Sequence, residues 1–303
     1  MQKIIKIQFK GGLGNQLFQV AFAYILVKNY PNSAVIIDKS WFKKNKIREY
    51  LIDRLPISSI FSKNYNIGFK SRIIFYFHKI ILNFLRNYNY LAKVISIIPK
   101  PSENVYAFLS KFGIFTDDNR SYIRFNNTSF SEITISGYFQ DINYIKKFQE
   151  ELQSQLIPRI SPDIDLNLSA FKSEGIDSFS CLLRLDKDYI FNIDPYVFIK
   201  DALRISKQLN KKSNYQFFSD EQDKLKKIKL DIENPIFCNS SNPLIQLYLA
   251  SRSNNFILSN SSFAWWAYFL SPHRQKTVIK PSQWIKNDDW NPGFLDEDKI
   301  INI

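Results

Sequence analysis

The chain has 303 residues, 45% of them hydrophobic and 16% aromatic, with only 8 Gly and 12 Pro. This composition excludes disordered, collagen-like and low-complexity classes and leaves room for two domains of ordinary size. Its 41 basic and 28 acidic residues give a net charge of +13, which speaks to partners and not to fold.

In chain order, residues 3–9 read as a first strand, because Lys3, Lys6 and Lys10 break the apolar run that a secretory signal needs. A tight loop is expected at 11–16, then a helix over 17–27 with Leu17, Ala21, Tyr24 and Ile25 on one stripe, and a second strand at 34–38. Between Asp53 and Glu103 there is no acid, while Arg54, Lys63, Lys70, Arg72, Lys79, Arg86, Lys93 and Lys100 all fall there. Five of these recur every seven residues from Arg72, with Ile73, Ile74, Phe77, Ile80, Ile81, Phe84 and Leu85 between them. That spacing predicts a basic amphipathic helix, or helix pair, over about 63–100. Such a face suits an anionic membrane surface or a lipid-pyrophosphate acceptor, or else packs on the first domain with its Lys and Arg stems covering apolar neighbours.

A linker is expected at 157–178, where Pro158 and Pro162 stand among few large apolar clusters. Beyond it, 179–185, 215–219, 235–239, 256–259 and 277–280 read as strands, with helices starting near Pro195, Asp220, Pro243 and Phe263. The alternation predicts an α/β chain of two Rossmann-like domains with parallel sheets, at 1–160 and 176–303, the first carrying the basic helical insertion. The two cysteines, Cys181 and Cys238, lie in apolar runs and cannot build a disulfide framework, which fits a reducing cytoplasm. No window approaches 18 uncharged apolar residues, so a soluble or peripheral protein is expected.

Three segments carry the chemistry. In GGLGNQLFQ (11–19), Gly12 and Gly14 let backbone approach a ligand, the following helix start offers free amides, and Asn15 and Gln16 are candidate contacts; a simple tight turn is the plainer alternative. In SCLLRLDKDY (180–189), a buried strand ends at Arg184, whose fork suits a pyrophosphate. The alternative there is an ion pair of Arg184 with Asp186 or Asp188. In LSNSSFAWWAYFL (258–270), Asn260, Ser261, Ser262 and Phe263 open a helix that forms a second anion cradle, while Trp265 and Trp266 read as core.

With GYFQDINY at 137–144, FFSDE at 217–221 and VIKPSQW at 278–284, these motifs stand in the order of a known family. The chain resembles the bacterial α-1,2-fucosyltransferases, glycosyltransferase family 11, over essentially its whole length outside the basic segment. The resemblance implies a GT-B-like pair of domains, GDP-L-fucose as donor, inversion at the sugar carbon, no metal or other cofactor, and a glycan or lipid-linked glycan as acceptor. It implies that Arg184 holds the donor diphosphate, that Asn15 lies near sugar and phosphates, and that Asp220, Ser261 and Ser262 line the nucleotide pocket. It also implies surface polysaccharide or lipopolysaccharide synthesis, and the basic segment fits work at the inner face of the plasma membrane.

The chain departs from the family at one place. Leu182 stands where the family has a histidine expected to contact guanine, and one extra residue precedes Asp188. Another nucleotide sugar, or a catalytically silent scaffold, is therefore an alternative. Asp188 is the candidate base for the acceptor hydroxyl. Asp186 and Asp188 as a manganese pair is a further alternative, weakened because hard cations need several oxygens. Nucleic acid is not an expected partner, since the charge is local and no recognition motif is present.

Overall fold

The computed structural model describes residues 2–61, 67–95, 98–117, 122–158, 177–185, 194–210, 213–285 and 290–303. The chain divides into two compact units, Met1–Asp53 with Ile57–Ile145, and Arg54–Pro56 with Lys146–Ile303. Most of the expected linker at 157–178 lies outside the described residues.

In the first unit, β1 (Ile4–Gln8) leads through the glycine turn into α1 (Leu13–Asn29), β2 (Ala34–Asp38) and the short α2 (Ser40–Lys44). A long helix α3 (Phe69–Val94) and α4 (Glu103–Lys111) follow, then β3 (Ile114–Phe115), β4 (Glu132–Ile135) and α5 (Ile142–Ile145). The sheet is wholly parallel, in the order β2-β1-β4-β3. Parallel strands are covered on both faces: Ile5, Ile7, Ile133 and Ile135 are fully buried on one, and Ile4, Glu132 and Thr134 are buried on the other. Helix α1 begins four residues before its expected start, so Gly14, Asn15 and Gln16 lie in its first turn and not in a loop. The turn itself is made by Gly11, whose φ of +82° is costly for any other residue.

The second unit starts with α6 (Gln149–Leu156) and continues through β5 (Ser178–Leu183), α7 (Pro195–Leu209), β6 (Asn214–Ser219), α8 (Gln222–Lys226) and β7 (Ile236–Phe237). It ends with α9 (Pro243–Ala250), β8 (Asn255–Leu258), α10 (Ser262–Phe269), β9 (Thr277–Lys280) and β10 (Lys299–Asn302). All six strands are parallel, in the order β10-β9-β8-β5-β6-β7. Local signals set the helix starts: Asp194 accepts the Tyr196 and Val197 amides ahead of Pro195, and Asn242 accepts the Leu244 amide ahead of Pro243. The core joins Phe179, Cys181 and Leu183 of β5 to Phe198, Ile199, Ala202 and Leu203 of α7. Cys181 and Cys238 are buried and form no disulfide. Trp265 and Trp266 are fully buried, and Trp265 Nε1 donates to the Gly293 carbonyl at 2.7 Å.

The basic segment is a helix that does two things at once. Its residues Ser71, Phe75, His78, Leu85 and Ala92 are buried, a stripe spaced by threes, fours and sevens that packs on the first unit. Polar pins fix it: Ser71 Oγ donates to Glu132 at 2.6 Å, and His78 Nδ1 meets Thr134 Oγ1 at 2.9 Å. Of the apolar residues singled out from the spacing, only Leu85 belongs to that stripe. Among the described residues no helix is long and apolar enough to cross a membrane.

His78 gives α3 a pH dependence. Burial holds its imidazole below the ordinary value of 6.5, against the pull of the Glu132 charge. The unfolded chain takes up a proton near that value and the folded site resists it, so stability is unaffected above it and falls as pH drops through it. Calorimetric melts from about pH 7 to about pH 5 are expected to show a falling Tm that His78→Phe flattens. Parallel profiles for the two proteins would refute the assignment.

Candidate functional site

The carboxyl ends of parallel strands are where α/β sheets present ligand-binding groups, and both units place polar motifs there. In the first unit, the segment after β1 carries Lys10, Gly11 and Gly12, and the segment after β4 carries Tyr138 and Gln140. Because β1 and β4 are neighbours, residues far apart in sequence meet: Gln140 Nε2 donates to Asn15 Oδ1 at 2.6 Å. A Cβ at Gly11 would collide with the Asn15 side chain, so the glycine also makes room for that amide. Helix α1 has no side-chain cap at Gly12 and no acid in its first turn, so its positive dipole end favours an anionic group.

The segment after β4 is held by Asp117, a buried carboxylate just beyond β3 that accepts the Tyr138 and Phe139 amides. Phe139 takes a left-handed φ of 53° in this segment. Lys10 Nζ lies 4.4 Å from the Tyr138 ring centroid. Burial lowers the Lys10 ammonium from its ordinary value, with Asp117 pulling it up and Arg86 pushing it further down. Sequence reasoning missed Asp117, Gln140 as a partner of Asn15, and Lys10. A basic residue at the carboxyl end of the first strand was the signal that could have found the last.

Gln16 was expected among the donor contacts, and the structure gives it another task. It is 0% exposed; Nε2 donates to the Gly11 and Glu49 carbonyls at 3.1 and 2.7 Å, and Oε1 accepts the Leu51 amide at 3.0 Å. An amide so engaged braces the glycine turn. Gln19 works alike, joining both backbone groups of Lys10 at 3.1 and 3.2 Å.

In the second unit, β5, β6 and β8 end side by side at Arg184, Asp220 and Ser259. The Arg184 amide donates to Ser259 Oγ at 3.2 Å and the Leu185 amide to Asp220 Oδ1 at 2.8 Å, so two neighbouring strands fix the backbone that carries the guanidinium. Arg184 Nε lies 3.9 Å from Asp220 Oδ2, with the two side chains 27% and 32% exposed. This distance is an orienting ion pair, too long for the paired bonds of a closed fork. Asp220, expected to line the nucleotide pocket, here positions Arg184 and its loop. The alternative partners Asp186 and Asp188 lie outside the described residues, and with them the candidate base and the manganese reading.

Helix α10 starts beside this edge, with Ser261 as its N-cap residue and Ser262 and Phe263 in its first turn, all partly exposed. Asn260, expected as a donor contact, is 1% exposed and donates to the Trp284 carbonyl at 2.8 Å, which ties the segment after β9 to the helix start. Leu182 is buried in β5, registered against Phe218 of β6 and Leu258 of β8. Ser180, two residues back on the same face, bonds to the Ala250 carbonyl of α9 at 2.9 Å, so Leu182 faces the helical layer, inside the core. Among the described residues no group of three or more His, Cys, Asp or Glu could hold a metal ion.

Comparisons with known proteins find relatives along almost the whole chain. The chain is 23% identical over 317 residues to an alpha-1,2-colitosyltransferase of Escherichia coli, covering 99% of each. It is 24% identical over 328 residues to the O-antigen biosynthesis glycosyltransferase WbnK of Escherichia coli, covering 97% of this chain and 98% of that one. Among solved structures, the NodZ alpha-1,6-fucosyltransferase co-crystallized with GDP, an enzyme known from Bradyrhizobium, matches with a TM-score of 0.51 at 13% identity. That match covers 93% of this chain and 95% of NodZ, a likeness of fold. The expected two-unit α/β architecture of the GT-B type is thereby met. The profile described as Glycosyl transferase family 11 matches residues 4–291, nearly the whole chain, and the chain therefore belongs to glycosyl transferase family 11.

Proposed function

We propose that this glycosyltransferase moves L-fucose, or a closely related deoxysugar, from a GDP-linked donor to a hydroxyl of a glycan, with inversion and in α-1,2 linkage. The observation that carries the reading is Arg184, a partly exposed guanidinium whose backbone is fixed by two neighbouring strand ends beside the start of α10. A sugar leaves a nucleoside diphosphate only if the negative charge building on the phosphates is met by fixed positive groups. Arg184 and the amides opening α10 supply them in the second unit, and the glycine turn with Asn15 supplies a second anion-compatible helix start in the first. In the proposed step the acceptor oxygen bonds to the anomeric carbon as its bond to the diphosphate breaks, and the hydroxyl proton passes to a carboxylate, for which Asp188 is the candidate. No metal is required in this scheme.

The names of the relatives support surface-polysaccharide work: one is an O-antigen glycosyltransferase and one transfers colitose through an alpha-1,2 bond. Leu182 favours a second reading in which the donor differs, because the place of the family's base-contacting histidine is filled by a core side chain. Thermal-shift titration in the presence of a chelator separates the two. GDP-fucose is expected to raise Tm more than UDP- or CDP-sugars at equal concentration, by mass action on the folded state. A larger rise with a UDP- or CDP-sugar would overturn the guanine assignment, and no rise with any nucleotide sugar would favour a silent scaffold.

A further inference from the structure

The outer face of α3 is the largest feature the transferase chemistry leaves unused. Opposite its buried stripe runs a second one, Ile73, Phe77, Ile80, Phe84, Leu91 and Val94, spaced by threes, fours and sevens and open to solvent, with Phe84 72% and Phe77 57% exposed. Phe69, Tyr76 and Tyr90 widen it. An exposed apolar strip of this length is not a normal surface for a soluble protein.

The charges beside it identify what covers it. Arg72, Lys79, Arg86 and Lys93 are all exposed and follow one another at heptad spacing, along one flank of the apolar strip. The sequence holds no carboxylate from 54 to 102 to neutralise them. Arg86 is close enough for its charge to act on Lys10, at the carboxyl edge of the first sheet. A second copy of the chain fits poorly. In an antiparallel two-fold pairing of α3 with itself the basic rows would meet, and in a parallel one each row would face a flank with no acid. Negative lipid headgroups over an acyl boundary match both halves of the face.

We infer that α3 is a membrane-lying helix, which seats its Ile73–Phe77–Phe84–Leu91 strip in the interface of an anionic bilayer while Arg72, Lys79, Arg86 and Lys93 engage lipid phosphates. At about 1.5 Å per residue the helix offers roughly 39 Å of contact parallel to the surface. The basic flank then brings the Lys10 edge of the first unit towards the headgroups, where a lipid-linked glycan acceptor is anchored. Membrane seating does not depend on the identity of the donor, so the test is run without nucleotide.

The test is flotation of the full chain with vesicles of phosphatidylcholine alone or with about one third phosphatidylglycerol. The chain is expected to float with the anionic vesicles only and to be released by salt. Each basic residue removed should weaken binding about fivefold, so that combined Arg72→Glu, Lys79→Glu and Arg86→Glu lowers it by at least about a hundredfold. Phe77→Ser with Phe84→Ser should also abolish it, and Phe84→Trp should show a blue-shifted emission on anionic vesicles. All these positions are exposed, and an unchanged Tm confirms that each variant folds. Equal flotation with neutral vesicles, binding indifferent to the charge reversals, or no binding at low salt would overturn the inference. Concentration-dependent dimers that Phe84→Ser dissolves, without vesicle binding, would assign the strip to a second copy instead.

Discussion

Arg184→Ala is expected to lower turnover by about a hundredfold to a thousandfold, the range seen when one preorganised charge-stabilising donor is removed from a transfer site. The loss should appear in kcat more than in KM, because the phosphates carry more charge in the transition state than in the bound donor. Little stability should go with it. The side chain is partly exposed, and the backbone of its loop is held by Ser259 and Asp220, which the substitution leaves in place. Arg184→Lys should recover part of the rate, since a point charge replaces a fork. Steady-state kinetics of these variants beside Asp188→Asn divides the roles. Turnover intact in Asp188→Asn and lost in Arg184→Ala would remove the proposed base and keep the diphosphate contact. Turnover unchanged in Arg184→Ala would end the reading of this edge as the place where the leaving group is stabilised.

The largest stability effect is expected at Asp298, just before β10. Its Oδ1 accepts the Lys276 amide at 2.8 Å, Oδ2 accepts the Tyr268 hydroxyl at 2.7 Å, and the Lys276 ammonium lies 3.4 Å away. Both charged side chains are 0% exposed. Burial lowers the Lys276 ammonium from its ordinary value, and Asp298 is the counter-charge that keeps it tolerable. Asp298→Ala strands an ammonium and a phenol inside the second unit and is expected to cost about 3–5 kcal/mol in urea unfolding. The double replacement Lys276→Met with Asp298→Leu should recover much of that, because an apolar pair of similar volume avoids desolvating two ions. A single-variant cost under about 1 kcal/mol would show that the pair is not isolated from water.

The sequence was most legible in its short apolar strand runs. Residues 34–38 and 277–280 match β2 and β9 residue for residue, since a continuous apolar run ending in polar groups has few other meanings in an α/β chain. Less legible were β3, only two residues long, and β4, whose Glu132 breaks the apolar signal yet is buried against Ser71 and Ser131. The start of α1 was misplaced because Gly-Gly-Leu-Gly reads as an extended turn, whereas a single left-handed Gly11 is enough and Gly14 is already helical.

For the site, motifs were readable and individual polar roles were not. Arg184 and Ser261 stand at a strand end and a helix start as their positions implied, and Asn15 lies in a helical turn where a loop was expected, while Gln16 and Asn260 bond to backbone carbonyls. Nothing in one sequence separates an amide that meets a ligand from one that braces a loop. The difference lies in which backbone groups pass nearby in space. The two faces of α3 show the same limit, because heptad spacing reports both a packed stripe and an open one.

The burial of the two thiols has a practical consequence. The sequence contains only Cys181 and Cys238, both belong to the second unit, and burial pushes the Cys181 thiol up, away from the reactive thiolate. An alkylating reagent therefore modifies the chain only when that unit opens. The rate of labelling becomes a clock for its local unfolding, one to which the first unit contributes no signal.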